Sequence, residues 1–337
     1  MNSRERVIRA IEFKGPDRVP LLHAVLPAAI IVHGQPLLEL LDEFRDDFGG
    51  SWGIPQIENL PPGYRKGINT DEWGVVWQND RDGMLGIPVG HPLADWSNFD
   101  NYRFPPNPDD DWFRSFQESL RKSHDHYAML GGINLFERMQ WLRGYENLMY
   151  DLAIGAEEAY KLRDRLVEHH LEYLRKAAMT DVDGFHFGDD WGTQISLIIS
   201  PDLWRKFYKP AYARMFEPCK TAGKHVHFHS DGMTWEILHD LVEIGVDVLN
   251  VQHCVMDLKA LAREFGGKVA FRSDLDRQHI LPHGTRDEIR AHVREVFEAL
   301  GSYNGGLIGH GEIAPDVPLE NVRAMFEAWR EFGVYDS

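Results

Sequence analysis

Cysteine is scarce: only Cys219 and Cys254 occur in 337 residues, too few for a disulfide framework. Long apolar runs are missing as well. The longest early one, around Leu21 to Val32, is broken by His23 and Pro27, so it offers neither a signal-peptide core nor a bilayer span. Basic residues are outnumbered, with 36 Lys and Arg against 53 Asp and Glu and a formal net charge of −17. That balance argues against nucleic acid or an anionic membrane as partner, since either needs a basic face. No Gly-x-Gly-x-x-Gly turn follows an apolar run, which removes the usual dinucleotide signature. The expectation is a cytoplasmic protein acting on a small molecule, and 43 % hydrophobic residues suffice for a sizeable core.

What is abundant is histidine, 17 in all and crowded toward the C-terminal half. The densest stretch is His225-Val-His-Phe-His-Ser-Asp-Gly232, which reads as a short strand ending in a polar turn. Strand alternation puts His225, His227 and His229 on one face and Val226 and Phe228 on the other, with Asp231 continuing the imidazole face. Imidazole is the commonest metal ligand and His-x-His projects two rings from one strand face, so this cluster is a candidate metal site.

Along the chain, residues 3–13 read as an amphipathic helix and Val19 to Val25 as a first buried strand. Residues 26–110 are irregular and rich in Pro, Gly and Trp, with a short helix near 36–47 and a hairpin around Asp71 to Trp77. A segment this long without regular structure reads as a functional excursion over the site. From residue 112 the pattern becomes regular. Helices at 112–126, 135–152 and 156–179 surround strands at 127–131 and 184–188. Ser200 caps a helix with Pro201 in its first position, running to Gly223 and the histidine strand. Strands at 246–251, 269–272 and 306–309 then alternate with helices at 234–243, 257–265, 285–300 and 318–332, and Thr285 with Glu288 forms a capping box.

Strict alternation of this kind is the signature of a parallel sheet with crossover helices, either an open doubly wound sheet or a closed (β/α)8 TIM barrel. The positions of the polar residues favour the barrel. Asp189 and Asp190, His229 and Asp231, Gln252 and His253, Asp274 and Asp276, and His310 and Glu312 all fall at the C-terminal ends of successive strands. In a barrel those ends meet at one mouth, where active sites are built. A single α/β domain over residues 1–337 is therefore expected, with 26–110 as a loop-rich excursion over the mouth.

Several stretches carry a family likeness. Phe13-Lys-Gly-Pro-Asp-Arg-Val-Pro20, Ile199-Ser-Pro-Asp-Leu-Trp-Arg-Lys-Phe-Tyr-Lys-Pro210, His229-Ser-Asp-Gly232, Gly245-Val-Asp-Val-Leu-Asn250, Leu281-Pro-His-Gly-Thr285 and Ile313-Ala-Pro-Asp-Val-Pro-Leu-Glu-Asn321 together resemble the uroporphyrinogen decarboxylase superfamily. The resemblance implies a single TIM barrel. The decarboxylases proper carry an arginine-rich segment after the first strand that binds the propionates of the tetrapyrrole, whereas Leu22-His-Ala-Val-Leu-Pro-Ala-Ala29 has no arginine. The other characterised branch resembles this chain in its strand-end motifs. It consists of methyltransferases that move a methyl group between a corrinoid, here held by a partner protein, and a thiol or other acceptor, with zinc bound by a His-x-Cys pair and a later Cys.

Carried over by that likeness, the metal ligands would be His229 and Asp231, with His310 or Glu312 from the last strand and His227 nearby. Oxygen donors in place of thiolates would admit Mn²⁺ or Fe²⁺ beside Zn²⁺ and would favour activating an alcohol, ether oxygen or water. Gly188-Asp-Asp-Trp-Gly-Thr-Gln194 and Leu135-Phe-Glu-Arg138 resemble an uncharacterised branch. They nominate Asp189, Asp190, Gln194 and Glu137 as catalytic groups, with Arg138, Arg143, Gln252, Asp274, Asp276 and Trp191 binding substrate. Two further activities stay open: a decarboxylase acting on a tetrapyrrole or smaller acid, and a metal-dependent hydrolase, since His227-x-His229 with Asp274 resembles the layout of amidohydrolases.

Overall fold

The computed structural model describes residues 1–335. The helices are α1 (Ser3–Ile11), α2 (Pro27–His33), α3 (Gln35–Glu43), α4 (Asp110–Lys122), α5 (Phe136–Arg143), α6 (Tyr145–Ile154), α7 (Glu157–Ala178), α8 (Pro201–Phe207), α9 (Lys209–Thr221), α10 (Trp235–Glu243), α11 (Leu258–Phe265), α12 (Ile280–His283), α13 (Arg286–Val296) and α14 (Leu319–Phe332). The strands are β1 (Ala24–Val25), β2 (Gly67–Thr70), β3 (Val76–Asn79), β4 (Ile87–Gly90), β5 (Met129–Ile133), β6 (Gly184–Gly188), β7 (His225–Ser230), β8 (Val248–Val251), β9 (Ala270–Arg272), β10 (Leu307–Ile308) and β11 (Glu312–Ile313). Among the described residues no helix is long and apolar enough to cross a membrane.

The architecture is an α/β fold on a parallel six-stranded sheet in the order β10-β9-β8-β7-β6-β5, while β1 pairs in parallel with β11. Backbone bonds join the two groups at both sides. Gly309 donates to the Pro20 carbonyl at 2.8 Å and Leu22 to Gly309 at 3.0 Å; across the other edge Asp47 donates to Leu21 at 2.8 Å and Tyr127 to Asp47 at 3.1 Å. Phe185, Phe187, Val226, Phe228, Leu249 and Phe271 are buried between the sheet and the helices, each worth about 1.5–3 kcal/mol of transfer from water.

The structure departs from the periodicity in a few places. The expected helix 135–152 is two, α5 and α6, because Gly144 between them takes φ +88°, a conformation that favours glycine. The helix after Ser200 is likewise two, α8 and α9, meeting at Tyr208. Helix 285–300 ends at Val296 in a wider π turn over Phe297–Gly301. The excursion is more regular than its composition suggests. It contains α2, α3 and a three-stranded antiparallel sheet β2-β3-β4, whose first turn is set by Asp71 Oδ1 accepting from the Trp73 and Val75 amides, each at 2.9 Å.

One buried carboxylate organises the N-terminal segment. Asp47, with no exposed surface, accepts from Arg6 Nη1 at 2.6 Å, from both Arg18 Nη atoms at 2.9 and 3.0 Å and from the Leu21 amide at 2.8 Å. Arg6 in turn holds Asp17. Removing one member of such a buried set strands the others. Asp47→Ala is therefore expected to lower stability by roughly 3–5 kcal/mol, read as a shift of the urea unfolding midpoint; a loss below about 1 kcal/mol, the size of an exposed pair, would show that the network is dispensable.

Candidate functional site

The parallel register stacks side chains in rows across the inner face of the sheet. Gly184 lies beside His225; His186 beside His227, Val248 and Ala270; Gly188 beside His229 and Asn250. The last row continues to Arg272, which pairs with Ile308. Moving two residues on along each chain keeps the same face and reaches Asp190, Asp231, Gln252, Asp274 and His310. The lower rows thus mix apolar groups with neutral imidazoles, and the row at the C-terminal ends is almost wholly polar.

Asp190 and Asp231 are held side by side by their backbones. Asp189 donates to the His229 carbonyl at 3.1 Å, Gly192 to Asp231 at 3.0 Å and Met233 to Thr193 at 2.7 Å, while Asp231 donates to Asp190 Oδ1 at 2.9 Å. The two turns approach so closely that a Cβ on Gly232 would lie 2.2 Å from the Gly192 carbonyl oxygen, and Gly232 has φ +78°. Both positions require glycine.

His229 has a defined tautomer. Asn250 Nδ2 donates to the Arg272 carbonyl at 3.1 Å, and its Oδ1 receives Arg272 Nη2 and stands 2.8 Å from His229 Nδ1. Since Oδ1 only accepts, His229 Nδ1 carries the proton and Nε2 is a bare lone pair. That lone pair faces Asp190 Oδ1 and Asp231 Oδ1, each 3.6 Å away, and ligand-capable atoms of the three residues lie within 4.8 Å of one another. Asp231 Oδ1 is buried without a hydrogen-bond partner. Three acceptors converging on one gap, with no donor among them, fit a divalent cation.

Around this trio the remaining groups are unevenly occupied. Arg277 binds Asp231 Oδ2 and reaches Glu312 Oε2 at 3.4 Å. Asp274 is 1 % exposed and neither carboxylate oxygen has a partner; burial raises its pKa to about 6 despite the nearby Arg277. Burial, with Asp189 and Asp190 nearby, raises Glu137 strongly, and burial raises Asp190 as well. Gln252 Oε1 accepts from the Gly232 amide at 3.0 Å and stands 3.3 Å from Gln194 Nε2, which brings Gln194 to the rim.

Several residues nominated from sequence lie elsewhere. Asp189 turns away from the inner face and accepts the Leu135 and Glu137 amides at 2.8 Å and the Tyr212 hydroxyl at 2.5 Å, which anchors the start of α5. Trp191 is core, stacked on Phe136 at 3.9 Å. Arg143 pairs with Asp151 and binds the Leu93 carbonyl at 3.0 Å, tying the excursion to the helices. Arg138 lies over the Trp73 and Trp141 rings at 4.3 and 4.7 Å. Asp276 accepts the Gln278 and His279 amides in a turn.

The expected ligands also divide. His227 sits one row below the trio, 3.0 Å from the Tyr127 hydroxyl. The His310 Nδ1–H donates to the Ser273 carbonyl at 2.6 Å, and Glu312 is turned to Arg277, so neither joins the trio. Arg277 and Asn250 were not singled out as site residues. Asn250 was legible as the inward neighbour of His229, whereas Arg277 lies in a loop where no periodicity applies.

Fold and site together define a parallel α/β protein with a polar centre at the C-terminal ends of its strands. The model for uroporphyrinogen decarboxylase (URO-D) matches residues 133–332, and the chain belongs to that family. The chain is 32 % identical over 180 residues to the uroporphyrinogen decarboxylase of Thermus thermophilus, covering 52 % of this chain and 50 % of that protein, and 28 % identical over 194 residues to that of Legionella pneumophila, covering 56 % and 52 %. It thus spans about half the length of these curated relatives. Among solved structures, a methyltransferase from Methanosarcina mazei superposes over 98 % of this chain and 99 % of its own with a TM-score of 0.72 at 18 % identity, a likeness of fold.

Asp274 supplies a test of the site's electrostatics. A carboxyl whose folded pKa is raised favours the fold only while protonated; that stability is complete below its unfolded value of about 3.9 and is lost as pH rises through about 6. In chelator-treated protein, Asp274→Asn is expected to raise the unfolding temperature at pH 8, by up to roughly 3 kcal/mol of stability, with the gain vanishing near pH 4. A variant less stable than wild type at pH 8 would show that the carboxylate is satisfied.

Proposed function

We propose that the chain is a metal-dependent methyltransferase of this family, passing a methyl group between a small alcohol, ether or amine and a corrinoid held by a partner protein. The observation that carries this is the His229 Nε2 lone pair aimed at two carboxylates. His229, Asp190 and Asp231 would hold the ion, a nitrogen and oxygen set suited to Zn²⁺, Mn²⁺ or Fe²⁺. Bound there, the ion supplies Lewis acidity toward a substrate oxygen or nitrogen. In this proposal the two strand groups form one closed (β/α)8 ring, with the Asp47 segment as a stave.

The chain's own groups set the rest. Asn250 fixes the His229 tautomer, and Arg277 keeps Asp231 oriented by occupying Oδ2 alone. Asp274, unpaired at the same end, would donate a proton to the oxygen or nitrogen that gives up its methyl to the corrinoid, and would take one from the hydroxyl or amine when methyl passes the other way. Gln194 and Gln252 order the rim. The groups awaiting a partner here are mostly acceptors, so they match a substrate rich in O–H or N–H rather than a polycarboxylate. Four propionates brought against Asp190, Asp231 and Asp274 would leave buried like charges unpaired, at several kcal/mol each.

A second activity rests on Arg277 and Arg272 in the same mouth, which could anchor a small carboxylic acid for decarboxylation, the activity named for the curated relatives. The hydrolase layout gains least support, because the His227 ring is engaged one row below.

Metal analysis separates them. Near-stoichiometric zinc, manganese or iron is expected in purified protein and is lost in His229→Ala and Asp231→Ala. The metal-loaded protein should then methylate reduced free cobalamin from a methylated alcohol or amine, read by its visible spectrum. Failure to retain any divalent ion after incubation and desalting would sink the metal-dependent proposal and leave the lyase.

A further inference from the structure

The three-stranded sheet of the excursion ends in an open edge. β2 pairs with β3, and among the described residues no other strand pairs with it. Asp71 donates to the Val75 carbonyl at 3.0 Å, continuing the register that sets Asn69 beside Trp77 and Gly67 beside Asn79. Antiparallel ladders alternate between bonded and unbonded pairs. Gly67 and Asn69 therefore turn their backbone groups to β3, and Ile68 and Thr70 turn theirs outward to the edge. Both of these residues are exposed, Ile68 at 73 %.

Natural sheets blunt such an edge with proline, a bulge or charge. The opposite edge, β4, has Pro88 and a register shift between Val76 and Trp77. Gly67-Ile-Asn-Thr70 has neither proline nor a charged side chain. Charge stands only at its ends, with Lys66 before the strand and Asp71 and Glu72 after it. The Asp71 carboxylate is occupied by the Trp73 and Val75 amides and by Trp77 Nε1, each at 2.9 Å. Lys66 and Glu72 are exposed, and neither forms an ion pair among the described residues. The net charge of −17 opposes self-association in general. A strand with a free cation at one end and a free anion at the other is a local exception, because it complements a reversed copy of itself.

We propose that β2 pairs antiparallel with β2 of a second copy of this chain, about a twofold axis at Asn69. That register sets Ile68 of each copy opposite Thr70 of the other, so the outward backbone groups of both exchange hydrogen bonds. Residues of equal parity then share a face, as a continuous sheet requires. The two Ile68 side chains meet on the diagonal, and Lys66 of each copy is carried to the Glu72 end of the other. A register moved by one residue would oppose outward groups to groups already bonded to β3. The edge lies outside residues 133–332, the part matched by the family model, and it does not depend on the chemistry at the mouth. It follows directly on Tyr64, which lies near Glu137 and Glu312, so the pairing braces that wall.

The test is sedimentation equilibrium of the full chain over a range of protein concentrations. So short a ladder gives a small interface, and a reversible dimer with Kd on the order of 10 μM is expected. Thr70→Pro removes an edge donor and leaves the ladder to β3 intact, since proline is accepted where the N–H faces away from the sheet. It is expected to weaken the dimer by about tenfold or more with an unchanged unfolding temperature. Should that temperature fall, the end charges serve instead. Lys66→Glu and Glu72→Lys each set like charges together and are expected to weaken the dimer, and the double variant is expected to restore it. A chain that stays monomeric at roughly 100 μM, well above that Kd, would overturn the proposal. So would a dimer that Thr70→Pro and both single charge reversals leave unaltered, or a double variant no tighter than the single ones.

Discussion

The His229–Asn250–Arg272 row is the interaction on which the upper half of the molecule depends. Three adjacent parallel strands place these residues abreast, and one amide oxygen accepts from an imidazole on one side and a guanidinium on the other. A buried guanidinium and a half-buried imidazole are each costly unless bonded, and the low dielectric that makes them costly also strengthens the bonds once formed. The row therefore both tolerates polar groups inside the sheet and decides which way they face. Had Asn250 been apolar, Arg272 would lose its acceptor and His229 would be free to take either tautomer. The facing of the His229 Nε2 lone pair toward the carboxylates above it is a consequence of this row.

Much of this was legible in the sequence because strand periodicity is rigid. Residues 229 and 231, and the step of two from 250 to 252, 272 to 274 and 308 to 310, fall on one face, and their place at strand ends set them at one mouth. The same parity separates Asp190 from Asp189: with His186 and Gly188 inward, residue 190 points inward, while 189 and 191 point under α5, where the structure has them as a helix anchor and a core indole. Periodicity stops where the strand stops. Asp276 and Arg277 lie beyond β9, and nothing in their spacing tells that one closes a turn while the other crosses the mouth to Asp231 and Glu312.

The fate of the arginines is the other part that sequence left hidden. Arg138 and Arg143 lie in the first helix of a glycine-split pair and read as anchors for an anionic substrate. Both are instead covered by aromatic rings of the excursion, Arg138 by Trp73 and Arg143 by Trp96 at 4.4 Å. A guanidinium is weakly hydrated and stacks readily on indole, so these residues fasten the antiparallel sheet and its neighbouring turns to α5. Side-chain partners contributed by a segment some 50 residues away leave no local pattern to read.

That fastening bears on how the mouth can work. The excursion is bonded to α5 at Leu142 through Leu93, and within itself at Ala28 through Gly83, besides the two stacked arginines. Tyr64, half-buried, lies near enough to Glu137 and Glu312 for their charges to raise its phenol pKa beyond the effect of burial. A segment held by buried backbone bonds and cation–π contacts opens only at the cost of breaking them together, which makes it a fixed wall rather than a swinging lid. In the proposed reading, the site's chemistry is then set by shape and acceptor geometry already present. In that reading, with Asp190, Asp231 and Asp274 preformed and Arg277 and Arg272 as the nearby cations among the described residues, hydroxyl and amine donors would gain bonds on entry and multiply charged acids would meet unpaired like charge.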